Sequence, residues 1–161
     1  MRTVSRCGAL LLACAIAAAA GQRGAADARQ GTQPIEDAIL AVHAEMTRAG
    51  EAGDVDRLFG YMLDTDKGSV VQNGVVLATR QDALDRTKAG FRAISSVRYR
   101  WTRHLVSVLS PDVAVLTAEG ESSATTTGGE TFSRPFAQTV VFVRRDGVWK
   151  AIHAHQSSPL R

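Results

Sequence analysis

Glu119, Gln138, His104 and His155 are the residues of this chain whose types could move a proton or orient a polar ligand from neighbouring strands. A carboxylate in apolar surroundings gains proton affinity and can act as a general base beside a carbonyl, with an imidazole to help it. His153 and His155, at i and i+2, invite a metal reading, but a zinc site needs three or four ligands close together. Adjacent strands lie roughly 4.8 Å apart, so a row of four residues spans about 14 Å, too wide for one ion. The expectation is therefore no metal and no other cofactor. No serine–histidine–aspartate spacing, phosphate-binding loop or dinucleotide fingerprint occurs in the chain.

The row follows from turn length, because opposite residues of a hairpin share a face. A two-residue turn at Asp146-Gly147 pairs Arg145 with Val148, and so Phe142 with Ala151, Val140 with His153 and Gln138 with His155. A two-residue turn at Gly128-Gly129 pairs Thr127 with Glu130. It sets Val115 opposite Phe142, Thr117 opposite Val140, Glu119 opposite Gln138 and Glu121 opposite Phe136. One face then mixes the aromatics Trp149, Phe142 and Phe136 with ionisable and polar groups. Those are Glu119, Glu121, Gln138, His153 and His155, the makeup of a ligand cavity. The other face, with Val141, Val143, Leu116 and Ala118, is small and aliphatic and suits packing on another layer. Pro111 leaves the next loop open: a two-residue turn places His104 opposite Glu119, a three-residue loop places Arg103 there.

Tyr61, Tyr99 and Trp101 read as core or cavity lining. Arg98, Arg100 and Arg103 alternate along one strand, either as a solvated edge or as a grip on an anion. His43 lies beside an apolar stripe and reads as structural.

The elements that must hold these residues are two kinds in succession. Pro34 suits the first turn of a helix, and Ile35, Ile39, Val42 and Met46 recur as one apolar stripe ending near Gly50. Asp54 is an N-cap for a short helix with Val55, Leu58, Phe59 and Met62. Residues 69–77 read as a hairpin turning at Asn73-Gly74. Thr79 with Asp82 starts a third helix through about Ala93. From Ser96 the pattern is β, over 96–109, 113–126, 130–145 and 148–157, an antiparallel meander. Helices first and strands after predict a single α+β domain over 34–158.

The remaining N-terminal residues change the arithmetic of the whole chain. The chain has 161 residues, two cysteines and a formal net charge of +3. Arg2 and Arg6 precede an uncharged apolar run from Gly8 to Ala20, the pattern of a signal peptide, 1–28, cleaved after Ala20 or Ala28. The run is shorter than the roughly 20 residues of a membrane span. Residues 29–33 read as a linker. Either cleavage lowers the net charge to +1, which removes the main support for a nucleic-acid partner. It also removes Cys7 and Cys14, so neither a disulfide framework nor a thiol nucleophile is available. A lipid anchor at Cys14, after Leu11-Leu12-Ala13, is the minority alternative. The expected location is periplasmic or secreted.

The stretch Ala52-Gly53-Asp54-Val55-Asp56-Arg57-Leu58 and the tail from Arg145 to Ser157, with Trp149, Ile152, His153, His155 and Ser157 in series, carry a family likeness. Over 34–158 the chain resembles the nuclear transport factor 2-like superfamily, in its exported SnoaL-like branch. The tail is also similar to the association domain of calmodulin-dependent kinase, which has a basic residue where Gln156 stands here. The resemblance implies a cone-shaped, cystatin-like α+β fold, a curved antiparallel sheet packed on N-terminal helices around a cavity, commonly as a homodimer. It implies relatives that include polyketide cyclases, ketosteroid isomerases and dehydratases, whose catalytic members use a pocket Asp or Glu, often helped by Tyr or His. Three functions fit. The first is binding of a small carbonyl-containing or anionic ligand lined by Tyr61, Trp101, Phe136 and Phe142. The second is an isomerase, cyclase or dehydratase using Glu119 with His104 or His155. The third is an association module.

Overall fold

At Asn73-Gly74 and Asp146-Gly147 the chain takes two left-handed conformations in a row, with φ of 52° and 76°, then 51° and 77°. Two successive positive φ values make the turn whose twist matches a hairpin. The first joins β1 (Val70–Gln72) to β2 (Val75–Leu77), and the second joins β5 (Thr131–Arg145) to β6 (Val148–Ser157). The computed structural model describes residues 12–159; Arg2, Arg6 and Cys7 of the expected leader lie outside the described residues.

The helices start where their caps dictate. Asp54 accepts a hydrogen bond from the Arg57 N–H at the head of α2 (Val55–Gly60). Thr79 and Asp82 form a complete capping box at the head of α3 (Arg80–Phe91). The first helix differs from expectation: α1 runs Leu12–Glu51 with Pro34 inside it, where a linker and a helix start were read. Alanine is the strongest helix former, and the stretch before Pro34 is rich in it. Pro34 removes one backbone donor, and the chain divides there into two compact units, the second beginning at Ile35.

In that second unit, β3 (Ile94–Ser110), β4 (Val113–Thr126), β5 and β6 form the expected meander. The hairpin β1–β2 extends it, β1 running parallel to β6, to a six-stranded sheet ordered β2-β1-β6-β5-β4-β3. Ile39 of α1, Phe59 of α2 and Leu84 of α3 meet Leu116, Val140 and Phe142 of the sheet in one apolar core. This is the mixed α+β architecture expected.

Several details of register decide which side chains face that core, among them an extra residue in β3, Leu109, between Val108, which pairs with Ala114, and Ser110, which pairs with Val113. The β4–β5 turn is longer than two residues, so Thr125 pairs with Thr131. Gly120 therefore faces Phe136 and Ala118 faces Gln138, while Glu119 faces Ala137 and Glu121 faces Pro135. A shift of one residue moves a strand's side chains to the opposite face. Next, β6 carries an extra residue, Ile152, between Ala151, which pairs with Phe142, and His153, which pairs with Val141. Beyond it, Gln138 faces Gln156 rather than His155. Last, β3 carries an extra residue, Thr102, between Trp101, which pairs with Gly120, and Arg103, which pairs with Glu119. Trp101 and His104 thus both point inward, although an odd number of steps separates them.

The Thr102 bulge needs Gly120. A Cβ there would sit 2.2 Å from the Arg100 carbonyl oxygen and 2.8 Å from the Trp101 Cα, both backbone atoms. Gly120→Ala should cost about 2 kcal/mol or more of stability, as overpacking against fixed backbone does. Urea unfolding measures it; a variant with the wild-type midpoint would show that the bulge is not held this tightly.

Candidate functional site

Several inner-facing strand positions line one cavity of about 610 Å³ between α1, α3 and the sheet. Trp101 and Tyr99 from β3 are stacked, with ring planes 8° apart and centroids at 5.7 Å. Phe136 from β5 lies 5.7 Å from both rings. These three give the cavity a flat aromatic wall.

The polar groups enter in a second row. His43 on α1 is 3% exposed, and its imidazole Nε2 contacts the Gln138 amide nitrogen. An amide nitrogen only donates, so Gln138 donates to Nε2 and the ring is neutral, with its own proton on Nδ1. Burial, and then the charge of nearby His104, hold the His43 pKa down to about 4. The His104 ring stands 5.1 Å from the His43 ring, edge to face, and burial lowers its pKa too. Gln156 and Gln72 continue the row beyond Gln138, on β6 and β1. Arg134 on β5 and Arg86 on α3 reach the cavity wall, where no Asp or Glu is present among the described residues.

The expected row of His104, Glu119, Gln138 and His155 is therefore split by the sheet. His104 and Gln138 face inward; Glu119 and His155 face outward, because the longer β4–β5 turn and the Ile152 bulge each reverse one strand's parity. Glu119 lies 3.1 Å from Arg103, with half its side chain exposed. The β3–β4 turn is the two-residue one, Ser110 pairing with Val113, yet Arg103 rather than His104 meets Glu119, because an extra residue, Leu109, shifts β3 by one position. Glu121 pairs with Arg100 at 3.7 Å, also outside. His153 also stands on the outer side, where its Nδ1 is 2.7 Å from the Gly68 carbonyl oxygen. Trp101, Phe136 and Gln138 line the cavity, but Tyr61 and Phe142 do not. Phe142 is fully buried in the core, and Tyr61 follows the end of α2, where its carbonyl accepts from Ala151 N–H. Among the described residues no group of three or more His, Cys, Asp or Glu could hold a metal ion.

Sequence reasoning set His43 aside, although it stands four residues after Ile39, beside the apolar stripe and next to Val42. A histidine there had to be buried and needed a partner. Gln72, Gln156, Arg86 and Arg134 carried no such signal; their facing depends on the bulge and on the β1–β6 pairing.

Comparison with known proteins adds the lineage. Residues 39–161 match the family model of the SnoaL-like domain. No curated protein matches the chain in sequence. Among solved structures, a protein assigned as a dehydratase of the NTF2-like family from Streptomyces avermitilis is 22% identical, with a TM-score of 0.69 over 78% of this chain and 97% of that one. A nuclear transport factor 2-like superfamily protein from Salmonella enterica is 12% identical, with a TM-score of 0.73 over 81% and 94%. A hexachlorocyclohexane dehydrochlorinase from Novosphingobium barchaimii is 16% identical, with a TM-score of 0.67 over 80% and 88%. At these identities the likeness is one of fold.

The buried imidazole gives stability a pH dependence of known sign. The unfolded chain binds the His43 proton near pH 6.5, the folded chain only near 4. Stability is thus fully present above about pH 6.5 and falls as pH drops towards 4, by about 3 kcal/mol in all. His104, shifted the same way, adds a slope of the same sign. Urea midpoints taken from pH 7 to 4.5 should fall in the wild type and fall less in His43→Gln. A flat wild-type profile would mean that the ring is not held neutral.

Proposed function

The chain belongs to the SnoaL-like domain family, and on that premise we propose that it binds a small organic ligand with an aromatic body and an anionic group. One observation carries this reading. The cavity combines an aromatic wall with Arg86 and Arg134 and no carboxylate among the described residues. Neither arginine is engaged by a carboxylate within the described residues; Arg134 lies over the Phe132 ring at 5.0 Å. Guanidinium groups pair best with planar anions, through paired donors. The volume falls in the range of small-molecule sites, roughly 300–1,000 Å³. The dehydratase and dehydrochlorinase of similar fold lend support, since both names describe work on small molecules.

Catalysis is the second reading, and its general base passes from Glu119 to His43. A neutral imidazole can accept a proton, but this one has no carboxylate partner on the cavity wall to strengthen it. Its lowered basicity favours holding a ligand over abstracting a proton. Further proposals are that the domain works outside the cytoplasm, on the strength of its leader pattern, and that it is a homodimer. Support for the dimer is the outer face of the sheet, where Leu105 is 53% exposed beside Val115 and Val141.

Titration with 2-naphthoate, a two-ring aromatic carboxylate, tests the ligand reading. Binding should alter Trp101 emission, and Arg134→Ala should weaken it about tenfold, the worth of one charge-assisted hydrogen bond. No heat in calorimetry together with unchanged emission would sink the reading. Sedimentation of the purified protein as a monomer at micromolar concentration would end the dimer proposal.

A further inference from the structure

Three carboxamides stand side by side on the inner face of the sheet. Gln138 on β5 pairs in register with Gln156 on β6, and Gln156 with Gln72 on β1. Gln138 is engaged by His43. Gln156 and Gln72 are half-buried on the cavity wall and make no side-chain hydrogen bond to the protein among the described residues. Both amides keep access to water in the open cavity, so a ligand that displaces this water loses affinity unless it supplies hydrogen-bond partners in its place.

The chemistry of that partner follows from the groups. Each carboxamide presents one acceptor oxygen and a donor NH2. Two of them on neighbouring strands, roughly 4.8 Å apart, suit a molecular edge with an acceptor and a donor side by side. Lactams, imides and oxo-substituted nitrogen heterocycles have such an edge. A hydrocarbon edge would leave both carboxamides unpaired, and a site built of hydrogen-bonding groups rejects such a ligand strongly.

The order along β5 sets the length. Arg134, Phe136 and Gln138 alternate on one face, so Arg134 and Gln138 are about 14 Å apart along the strand at roughly 3.4 Å per residue. Two long side chains reach in from the ends, leaving room for one or two fused rings against Phe136 and Trp101. Resting on the anionic-ligand reading above, the geometry points to a flat heteroaromatic acid as the ligand. Its anion lies at Arg134, its ring on the aromatic wall and its amide-like edge at Gln156 and Gln72.

Two probes of similar size separate this from the broader reading. Both 2-naphthoate and pterin-6-carboxylate are two-ring aromatic carboxylates, and only the second has the amide-like edge. Calorimetry on the full chain should find pterin-6-carboxylate at least tenfold tighter. Replacing Gln72 and Gln156 together by Leu should bring the two ligands level, with 2-naphthoate bound at least as tightly as by the wild type. That retained binding also reports that the variant is folded. Should it not fold, Gln156→Met, unbranched and of similar length, should still reduce the preference severalfold. Equal affinities in the wild type, or a preference for 2-naphthoate, would overturn the inference while leaving the anionic-ligand reading intact. A pterin preference that survives the glutamine changes would overturn it as well. Failure of both probes to bind would sink both.

Discussion

A β-strand sends its side chains to two faces in strict alternation, so a single inserted residue decides which chemistry meets the ligand and which meets water. Two of the insertions in this sheet shape the cavity wall. Thr102 brings Trp101 and His104 to one side of β3, and Ile152 exchanges His155 for Gln156 on the inner side of β6. The second has a structural cause in its neighbours. On the side away from β5, the Ala151 N–H donates to the Tyr61 carbonyl and the Ala151 carbonyl accepts from Leu63 N–H. From Ala154 onward, that same edge is taken by β1. Ile152 sits at the changeover between the two partners, where an extra residue lets one strand serve both.

The same parity sorts charge. Glu119 and Glu121 fall on the outer face and meet Arg103 and Arg100 there. Exposed pairs of this kind contribute little to stability, typically under about 1 kcal/mol. What matters is where the carboxylates are not. Guanidinium, imidazole and amide groups are left to define the cavity, so its chemistry is that of holding an anion with neutral donors and acceptors nearby.

Much of this was legible in the residues. Asp54, Thr79-Asp82, Asn73-Gly74 and Asp146-Gly147 each have a mechanism that acts within a few residues, and each stands where local chemistry places it. The likeness at Ala52–Leu58 and at the tail gave the fold family as well. The faces of the strands were not legible, because they depend on a turn at Gly128-Gly129 that has more than one closing geometry and on a bulge at Ile152. Nothing in the identity of Ile152 marks it as unpaired; its cause lies in residues 61–63, some ninety positions away in the chain. Gln138 kept its place because its strand's own turn was read correctly, whereas Glu119 lost its place with its neighbour's turn.

The cavity also has to stay open, and apolar packing alone does not ensure that, being non-directional. A polar stripe on α1 supplies the direction. His43, Thr47 and Glu51 recur every four residues, beside the apolar stripe of Ile35, Ile39, Val42 and Met46. His43 meets Gln138 on β5, Thr47 accepts from the Trp101 indole N–H at 3.1 Å, and Glu51 accepts from the Tyr99 backbone N–H at 2.8 Å. The last of these also occupies a donor that β3, the edge strand, would otherwise present to other chains. Three bonds of defined length from one helix face to two strands fix how far the layers stand apart. They hold the aromatic wall in place before any ligand arrives, which lowers the ordering cost of binding. The side chain that anchors this stripe at the cavity end, His43, is also the one whose neutral form the site requires, so the interaction that spaces the layers and the one that sets the polarity of the cavity are the same.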